Sequence, residues 1–282
     1  MIGTLKKTNQ ILTKYNLRAK KGFGQNFLID ENILKKIIQV SELTKDDGVI
    51  EIGPGIGALT EHLCLNAKKV LAFEIDSNML EVLGNELKDY SNLKIINQDF
   101  LEAKLENLDY FNDCKRIKVV SNLPYYITTP IITKLLGINF VEEMYLMVQK
   151  EVGMRLSGKP KTKDYNSLSV FMAYKSKCKI EFTVARNCFL PAPNVDSVII
   201  SVKKIKSDFT VNNEAHFLKF IQIIFAQRRK TTINNIANGY SLSKEEISLL
   251  LENLGYLPSV RSEELTLEDI YKIYMEIFKL TK

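Results

Sequence analysis

Histidine and cysteine are scarce in this 282-residue chain. The two histidines are His62 and His216, and the four cysteines are Cys64, Cys114, Cys178 and Cys188. None of the cysteines forms a Cys-x-x-Cys pair. So few side chains argue against a histidine–cysteine metal cluster and against a Ser-His-Asp triad. We therefore expect no metal centre, and we expect reduced thiols in a cytoplasmic protein.

Long hydrophobic runs are also missing. No run approaches the ~18 consecutive apolar residues that a membrane-spanning helix needs. Apolar residues nevertheless make up 45% of the chain, which is ample for a buried core. We expect a soluble protein without a membrane partner, built as one large domain with a small appendix or as two ordinary domains.

Positive charge is concentrated in two segments of a chain whose net charge is +6. Residues 1–29 hold six basic side chains and no acid, and residues 155–186 hold eight basic side chains against two acids. Such clusters attract polyphosphate, although either one alone also fits a solvated lysine-rich surface. The first segment is rich in lysine rather than arginine and not in serine, so we expect it to belong to the mature protein.

Short apolar runs rich in β-branched residues recur along most of the chain and alternate at first with helical patterns. The predicted strands are Val49–Gly53, Val70–Ile75, Leu93–Asn97, Ile117–Ser121, Met144–Val148, Lys179–Val184 and Val198–Ile205. The predicted helices between them are Ile33–Val40, Ala58–Leu65, Asn78–Leu87 and Pro130–Leu136. This alternation predicts an α/β fold with a parallel sheet and helices on both faces. Later strands follow one another with less helix between them, which allows an antiparallel edge pair.

Only helical patterns follow Lys206. Ala215–Ala226 carries apolar residues at i, i+3 and i+4 spacing, and Ser243–Glu246 has the form of a capping box, with Gly255 as the expected stop of that helix. A last apolar stripe runs from Leu267 to Phe278. We predict a main domain over residues 1–206, with 1–29 as a basic N-terminal arm, and a small all-helical domain over 207–282.

A glycine-rich loop follows the first predicted strand in the segment Val49–Gly57, which reads VIEIGPGIG. Gly53, Gly55 and Gly57 let the backbone turn tightly and approach a ligand. Glu74 ends the next strand, where an acid receives the two hydroxyls of a ribose. Because Gly53-x-Gly55-x-x-Ala58 also fits a dinucleotide fingerprint, the loop alone leaves a nicotinamide enzyme, or a turn without a ligand, open.

Asp99 follows the third predicted strand. At that position its carboxylate can accept a hydrogen bond from an adenine amino group, and a helix cap or a solvated acid is the alternative. Its place beside the same crevice favours contact with a ligand.

The tetrapeptide Asn122-Leu123-Pro124-Tyr125 follows the fourth predicted strand and distinguishes among nucleotide chemistries. An exocyclic amino nitrogen is a poor nucleophile because its lone pair is delocalised into the ring. The Asn122 side-chain oxygen and the Leu123 carbonyl, aimed at its hydrogens, favour tetrahedral character at that nitrogen. Pro124 stiffens the turn, and Tyr125 offers a face on which a base can stack. The pattern indicates methylation of a base amino group, with a structural proline turn as the alternative.

With these residues the chain resembles the bacterial small-subunit ribosomal RNA adenine dimethyltransferases, the KsgA family. The resemblance extends from about Lys20 to Leu267. Its motifs stand here as Gly24–Leu28, Glu51–Gly57, Glu74–Asp76, Gln98-Asp99, Asn122–Tyr125, Val148–Val152, Asp164–Val170, Phe189–Ser197 and Gln227–Thr231. It implies a Rossmann-like class I methyltransferase sheet and dimethylation of two adjacent adenosines in a hairpin near the 3′ end of small-subunit (16S) rRNA. The implied partners are S-adenosylmethionine and the rRNA of 30S particles or their precursors, with a role in subunit biogenesis and a monomeric enzyme off the ribosome.

The resemblance also implies roles for individual residues. The cofactor would contact Asn26, Leu28, Gly53, Gly55, Glu74, Asp99 and Asn122. Phe189 would close on the target base opposite Tyr125, which with Asn122 and Leu123 completes the catalytic set; a core phenylalanine is the alternative for Phe189. Arg228, Arg229 and Lys230 would touch RNA phosphates, with a solvated loop as their alternative. Asn166 and Ala192 depart from the Gly and Lys that are familiar in relatives.

Three other functions stay open at this point. The nearest is an Erm-type methyltransferase, which modifies large-subunit rRNA and confers macrolide resistance. The second is a non-catalytic ribosome-assembly or transcription factor on the same scaffold, and the third is a dinucleotide oxidoreductase. The Gln227–Thr231 and Val148–Val152 motifs and Leu123 favour the small-subunit enzyme.

Overall fold

The computed structural model describes residues 1–17, 25–105 and 109–280. The strands in these ranges are β1 (Phe27–Leu28), β2 (Asp47–Ile52), β3 (Lys69–Glu74), β4 (Leu93–Asn97), β5 (Arg116–Asn122), β6 (Val141–Gln149), β7 (Ser176–Val184), β8 (Phe189–Leu190) and β9 (Ser197–Lys204). The helices are α1 (Leu5–Lys14), α2 (Glu31–Ser41), α3 (Ala58–Asn66), α4 (Ser77–Glu86), α5 (Thr128–Gly137), α6 (Lys150–Leu156), α7 (Ser167–Lys175), α8 (Glu214–Ile224), α9 (Thr232–Tyr240), α10 (Lys244–Asn253) and α11 (Leu267–Leu280).

Seven strands form one sheet in the order β4-β3-β2-β5-β6-β9-β7. The strands from β4 to β6 are parallel to their neighbours. β9 runs antiparallel to β6, with Glu143 opposite Lys203 and Gln149 opposite Ser197. The predicted strands, the parallel α/β sheet and the antiparallel pair near its edge are therefore confirmed. The two-residue strands β1 and β8, which pair with each other separately, were not predicted.

The apolar runs form strands because both faces of the sheet are covered. β2 is buried along its whole length, and Val49 and Ile50 have no exposed surface. Leu34 of α2 and Leu63 of α3 belong to the same core cluster as Val49. Parallel strands covered on both faces are continuous apolar runs rather than alternating ones, as found here.

The chain order of the sheet reverses at β2, which lies between β3 on one side and β5 on the other. In an open α/β sheet, such a switch point leaves a crevice outside the carboxyl ends of the strands, where ligands bind. The ends of β2, β3, β4 and β5 carry the glycine loop, Glu74, Asp99 and Asn122, respectively. The fold thus brings the glycine loop, Glu74, Asp99 and Asn122 toward the same edge of the sheet.

Part of the basic N-terminal arm is neutralised by an acid. The Nζ atoms of Lys7 and Lys14 in α1 lie 2.7 and 2.8 Å from the carboxylate of Glu86, at the end of α4. These hydrogen bonds lower the pKa of Glu86 to about 2. Arg18, Lys20, Lys21 and Gly24 lie outside the described residues.

The chain divides into two compact units. One contains residues 1–153 and 179–204, and the other contains residues 154–178 and 205–282. The second unit therefore includes a segment from within the range predicted for the main domain. The functional division at residues 206 and 207 stays a prediction.

The second unit is mainly helical and contains the helices that were predicted after Lys206. The apolar face of α8 is buried at Phe217, Phe220 and Ile224. The Ser243 hydroxyl accepts from the Glu246 amide at 3.2 Å while the Glu246 carboxylate accepts from the Ser243 amide at 3.1 Å, as the capping box predicts. In the described ranges, no helix is long and apolar enough to cross a membrane.

Candidate active site

A cleft opens at the carboxyl ends of the central parallel strands, within the first unit. It is lined by the glycine loop, by the ends of β3, β4 and β5, and by the segment that enters β1. Its lining residues are Gln25 to Leu28, Glu51 to Ile56, Ala58, Leu59, Phe73 to Ile75, Gln98 to Phe100 and Asn122 to Ile127. Every residue predicted to bind the cofactor is among them.

The glycine loop has left-handed backbone at the two positions that face the cleft. Gly53 has φ +71° and Gly55 has φ +56°, values that side-chain-bearing residues rarely adopt. A Cβ atom on Gly53 would lie 3.4 Å from Cγ of Pro124, and one on Gly55 would lie 3.3 Å from the ring of Phe27. The glycines therefore allow both the turn and the close approach of the tetrapeptide and of β1 to the loop.

Glu74 links the end of β3 to the glycine loop. Its Oε1 accepts from the Asp76 amide at 2.8 Å and its Oε2 from the Gly55 amide at 3.2 Å. Burial raises the pKa of this carboxyl, against the effect of the backbone hydrogen bonds. Each oxygen has acceptor capacity left over, so the held carboxylate can receive the two adjacent hydroxyls of a ribose.

Asp99 is positioned by its own turn and by a lysine from α5. Its Oδ1 accepts from the Leu101 amide at 2.8 Å. The Lys134 Nζ donates to the backbone oxygens of Phe100, Leu101 and Ala103 at 2.8, 2.7 and 2.6 Å. The Lys134 ammonium group thus fixes the turn that follows β4. Asp99 lines the cleft, and its carboxylate can accept a further hydrogen bond from an amino group.

Asn122 ends β5 with half of its side-chain amide unpaired. Its Nδ2 donates to the backbone oxygen of Asn26 at 3.4 Å. Its Oδ1 is buried and has no hydrogen-bond partner among the described residues. An unpaired buried acceptor costs about 1–3 kcal/mol, so this oxygen is an acceptor held ready for a ligand donor. The next residue, Leu123, is buried and its amide donates to the Met147 oxygen at 3.1 Å.

Tyr125 is held at both ends. Its backbone begins a short 3-10 turn after Pro124, and its hydroxyl lies 2.6 Å from the hydroxyl of the buried Ser197 in β9. Burial raises the pKa of the Tyr125 phenol. With the hydroxyl fixed, the ring is a rigid face on the lining of the cleft.

Phe189 is placed differently from the other predicted catalytic residues. It lies in β8, opposite Leu28 of β1, and is only 2% exposed. It belongs to the main core cluster and does not line the cleft. The structure therefore does not bring Phe189 to the base-stacking position opposite Tyr125, and its contact with a base stays a prediction that requires β8 to move.

The predicted RNA-contacting residues lie in the second unit, in the turn between α8 and α9. Arg228, Arg229 and Lys230 are exposed. The Arg228 Nε donates to the Glu263 carboxylate at 2.8 Å. Gln227 and these three residues line a shallow surface concavity.

Comparison with known proteins identifies the family to which this site belongs. A sequence model described as "Ribosomal RNA adenine dimethylase" matches residues 16–279. The chain belongs to the ribosomal RNA adenine dimethylase family. The predicted resemblance is thereby confirmed.

Curated relatives with this family's chemistry cover nearly the whole chain. "Ribosomal RNA small subunit methyltransferase A" of Geobacillus sp. (strain WCH70) is 46% identical over an alignment of 275 residues that covers 95% of this chain and 94% of the relative. The protein of the same name from Bacillus mycoides (strain KBAB4) is 45% identical with the same coverage.

Solved structures agree in fold. A dimethyladenosine transferase from Plasmodium falciparum has a TM-score of 0.74 and 29% identity, covering 89% of this chain and 97% of its own. The 23S rRNA methyltransferase ErmE has a TM-score of 0.69 and 23% identity, covering 90% of this chain and all of its own, and shows the fold alone. The predicted Rossmann-like methyltransferase sheet with a helical C-terminal region is confirmed.

Membership of this dimethylase family implies S-adenosylmethionine as the cofactor, and the cleft fits it. A glycine loop with room for close approach, two acceptors on Glu74 and one on Asp99 match a nucleoside with ribose hydroxyls and an adenine amino group. The unpaired Asn122 Oδ1 is left over from this set for another donor.

Two residues important to the cleft had no predicted role. Lys134 is the single charged residue in the mostly apolar helical pattern Pro130–Leu136, which is the one sequence signal for it. Glu51 lies inside the predicted glycine motif, and its Oε2 is buried without a partner among the described residues. Burial, together with the nearby charge of Glu74, raises the pKa of Glu51 to about 8. Near neutral pH the Glu51 carboxyl is therefore largely protonated.

Proposed function

We propose that this protein transfers methyl groups from S-adenosylmethionine to N6 of two adjacent adenosines in a hairpin near the 3′ end of small-subunit (16S) rRNA. The product would be N6,N6-dimethyladenosine. The observation that carries the chemistry is the buried, unpaired Oδ1 of Asn122 at the cleft, beside the fixed ring of Tyr125. The substrate rests on relatives 45–46% identical over 95% of the chain that are named for the small subunit.

The residues act by holding and polarising the target amine. S-adenosylmethionine, when bound, supplies an electrophilic methyl group. The adenine N6 is a weak nucleophile because its lone pair is shared with the ring. In the first transfer, Asn122 Oδ1 would accept a hydrogen bond from one N6–H and the Leu123 carbonyl from the other, which moves electron density from the ring to the nitrogen. In the second transfer, the one remaining N–H would donate to one of these oxygens. The alkylated nitrogen is acidic and loses its proton readily, so no strong general base is required.

The cofactor would be held along the strand ends. Glu74 would receive the ribose hydroxyls and Asp99 the adenine amino group. Gly53 and Gly55 allow backbone approach to the methionine part, and Asn26 and Leu28 close the cleft from the N-terminal side. Asn122 therefore stands where cofactor and target base meet, so it belongs to both sets.

The target base would stack on Tyr125 after leaving the helical stack of its hairpin. Unstacking a base costs a few kcal/mol, and contact with an aromatic face returns about 1–3 kcal/mol. Phe189 would supply the opposite face after a movement of β8.

In the cell, the enzyme would act in the cytoplasm on 30S particles or their precursors, as a monomer off the ribosome, and serve small-subunit biogenesis. Arg228, Arg229 and Lys230 would contact rRNA phosphates. The exposed positions of these three side chains suit such contacts.

A paired substrate assay tests the proposal against its rivals. Undermethylated 30S subunits and 50S subunits are each incubated with protein and labelled S-adenosylmethionine. We expect label in 16S rRNA alone. Label in 23S rRNA, with protection of a sensitive host from erythromycin, would establish an Erm-type enzyme instead. Binding to 30S particles without transfer would indicate a non-catalytic assembly factor, and failure to bind S-adenosylmethionine in calorimetry would revive the oxidoreductase.

A further inference from the structure

We propose that two basic loops of the second unit form a single surface that binds the phosphate backbone of rRNA. This inference rests on the proposed function and extends its RNA contacts beyond Arg228, Arg229 and Lys230. The two-loop surface consists of Lys159, Lys161, Lys163, Arg228, Arg229, Lys230 and Arg261. The first three form the lysine loop and the next three the arginine loop.

Glu263 joins the two loops. Its backbone oxygen accepts from the Lys161 amide at 2.8 Å. Its side-chain carboxylate accepts from the Arg228 Nε at 2.8 Å. Two segments separated by more than sixty residues in sequence therefore meet on one residue.

The arginine loop is fixed to the segment around Glu263 by buried hydrogen bonds. The Thr232 amide donates to the Val260 oxygen at 2.9 Å, and the Thr232 hydroxyl lies 3.2 Å from the Ser262 hydroxyl. Ser262 in turn donates to the Ile224 oxygen at the end of α8, at 2.6 Å. Because Thr232 and Ser262 are both buried, these contacts set the position of the turn that carries the arginines.

The lysine loop is fixed from the other side. The hydroxyl of buried Tyr165 donates to the Leu265 oxygen at 2.8 Å. Gly158 packs so closely that a Cβ atom there would lie 2.7 Å from the Ser169 hydroxyl and 2.9 Å from the Asp164 oxygen. The backbone is therefore held in place, and the lysine side chains at 159, 161 and 163 are exposed.

Charge on this surface is mostly uncompensated. Of the seven basic residues, Arg228 is the one that forms an ion pair within the described part of the chain. The nearby acids in sequence are Asp164, Glu263 and Glu264. Clustered cations held on a fixed backbone attract polyphosphate and release its counterions.

The chemistry of the loops favours phosphates over bases or an apolar protein partner. Residues 157–166, 227–231 and 260–265, all of which the structure describes, expose no large hydrophobic side chain. The surface therefore lacks the exposed aromatic rings on which RNA-binding proteins commonly stack unpaired bases, and its lysines bind phosphate as point charges. It suits the backbone of structured RNA, where contacts position the protein without reading sequence.

The test compares two variants that each remove three lysines from the full-length protein. One carries Lys159→Ala, Lys161→Ala and Lys163→Ala. The control carries Lys177→Ala, Lys219→Ala and Lys244→Ala, which are exposed positions of the same unit outside the two-loop surface. Binding to undermethylated 30S subunits and to protein-free 16S rRNA is measured over a range of salt concentrations, together with methyl transfer at saturating 30S.

We expect the lysine-loop variant to bind both 30S subunits and free 16S rRNA at least about tenfold more weakly than the control. The slope of its log affinity against log salt concentration should be smaller in magnitude by about 2–3. Its transfer rate at saturating 30S and its affinity for S-adenosylmethionine should equal those of the wild type. Equal weakening in both variants would reduce the effect to overall charge and overturn the proposal. If the lysine-loop variant bound 30S subunits more weakly but bound free rRNA normally, the surface would bind a ribosomal protein rather than rRNA, and the proposal would be overturned. The proposed function fails separately, if the wild type itself transfers no methyl group.

Discussion

The Asn122 Nδ2 atom donates to the backbone oxygen of Asn26 at 3.4 Å, which leaves Asn122 Oδ1 buried and without a partner among the described residues. This contact joins the segment before β1 to the end of β5 across the cleft. It also orients the side-chain amide, so that the acceptor and not the donor is left for a ligand. The amino group of a base that is to be methylated carries N–H donors, which such an acceptor can bind.

Replacing Asn122 with alanine should remove this acceptor and abolish methyl transfer. We expect the rate at saturating substrate to fall by at least about a hundredfold, since loss of one aimed hydrogen-bonding group in an active site costs that much. Transfer is measured on undermethylated 30S subunits, with Asn112→Ala as an exposed control. Wild-type activity in Asn122→Ala would contradict the mechanism, provided that circular dichroism shows an unchanged fold.

Two variants of Tyr125 distinguish the contribution of its ring from the contribution of its hydroxyl. Tyr125→Phe loses the 2.6 Å contact with Ser197 but keeps the ring, so we expect a loss of activity of less than about tenfold. Tyr125→Ala loses the stacking face and should cost about ten- to a hundredfold in kcat/KM. Equal losses in the two variants would show that the hydroxyl, and not the face of the ring, matters.

Lys134 is expected to act as a positioning residue for Asp99. Lys134→Met leaves three backbone oxygens without their donor, so we expect the Kd for S-adenosylmethionine to rise by about tenfold or more. Lys134→Arg should recover part of the affinity. The specific readout is the preference for S-adenosylhomocysteine over its inosine analogue in calorimetry, because we propose that Asp99 accepts a hydrogen bond from the adenine amino group. An unchanged preference in Lys134→Met would reduce the lysine to a purely structural role.

Glu51 should make the stability of the protein depend on pH. Its pKa is about 8 in the folded state, against an ordinary value of 4.5. Between these values the folded protein holds a proton that the unfolded chain has released, so the free energy of unfolding falls as pH rises from about 4.5 to about 8. Glu51→Gln, which resembles the protonated acid, should avoid this loss.

The measurement is thermal unfolding of wild type, Glu51→Gln and the exposed control Glu142→Gln at pH 5 and pH 8.5. We expect Glu51→Gln to unfold at least about 3 °C above the wild type at pH 8.5, and the difference to shrink at pH 5. A constant difference at both pH values would mean that Glu51 is ionised in the folded protein.

Most of the sheet, and the gathering of Gly53, Gly55, Glu74 and Asp99 at one cleft, could be predicted from the sequence because both depend on local patterns. Buried parallel strands appear as apolar runs, and Gly53, Gly55, Glu74 and Asp99 each follow such a run. Strands of two residues carry no periodicity, so β1 and β8 were not predicted. The burial of Phe189 depends on that pairing and could not be predicted for the same reason.

Contacts between segments that are distant in sequence could not be predicted either. Lys134 reaches the turn after Asp99 from thirty residues or more away, and no spacing rule connects the two. The meeting of Lys161 and Arg228 on Glu263 depends on three separate loops. The sequence indicated the basic segment 155–186 and the basic residues Arg228 to Lys230, but not that Glu263 connects them.

Identification of the modified nucleoside is the decisive test of the proposed methyl transfer. Undermethylated 30S subunits are incubated with the protein and labelled S-adenosylmethionine, and the 16S rRNA is digested and separated. We expect label in N6,N6-dimethyladenosine, from two adjacent adenosines near the 3′ end. Label in another nucleoside, in 23S rRNA, or in none would contradict it.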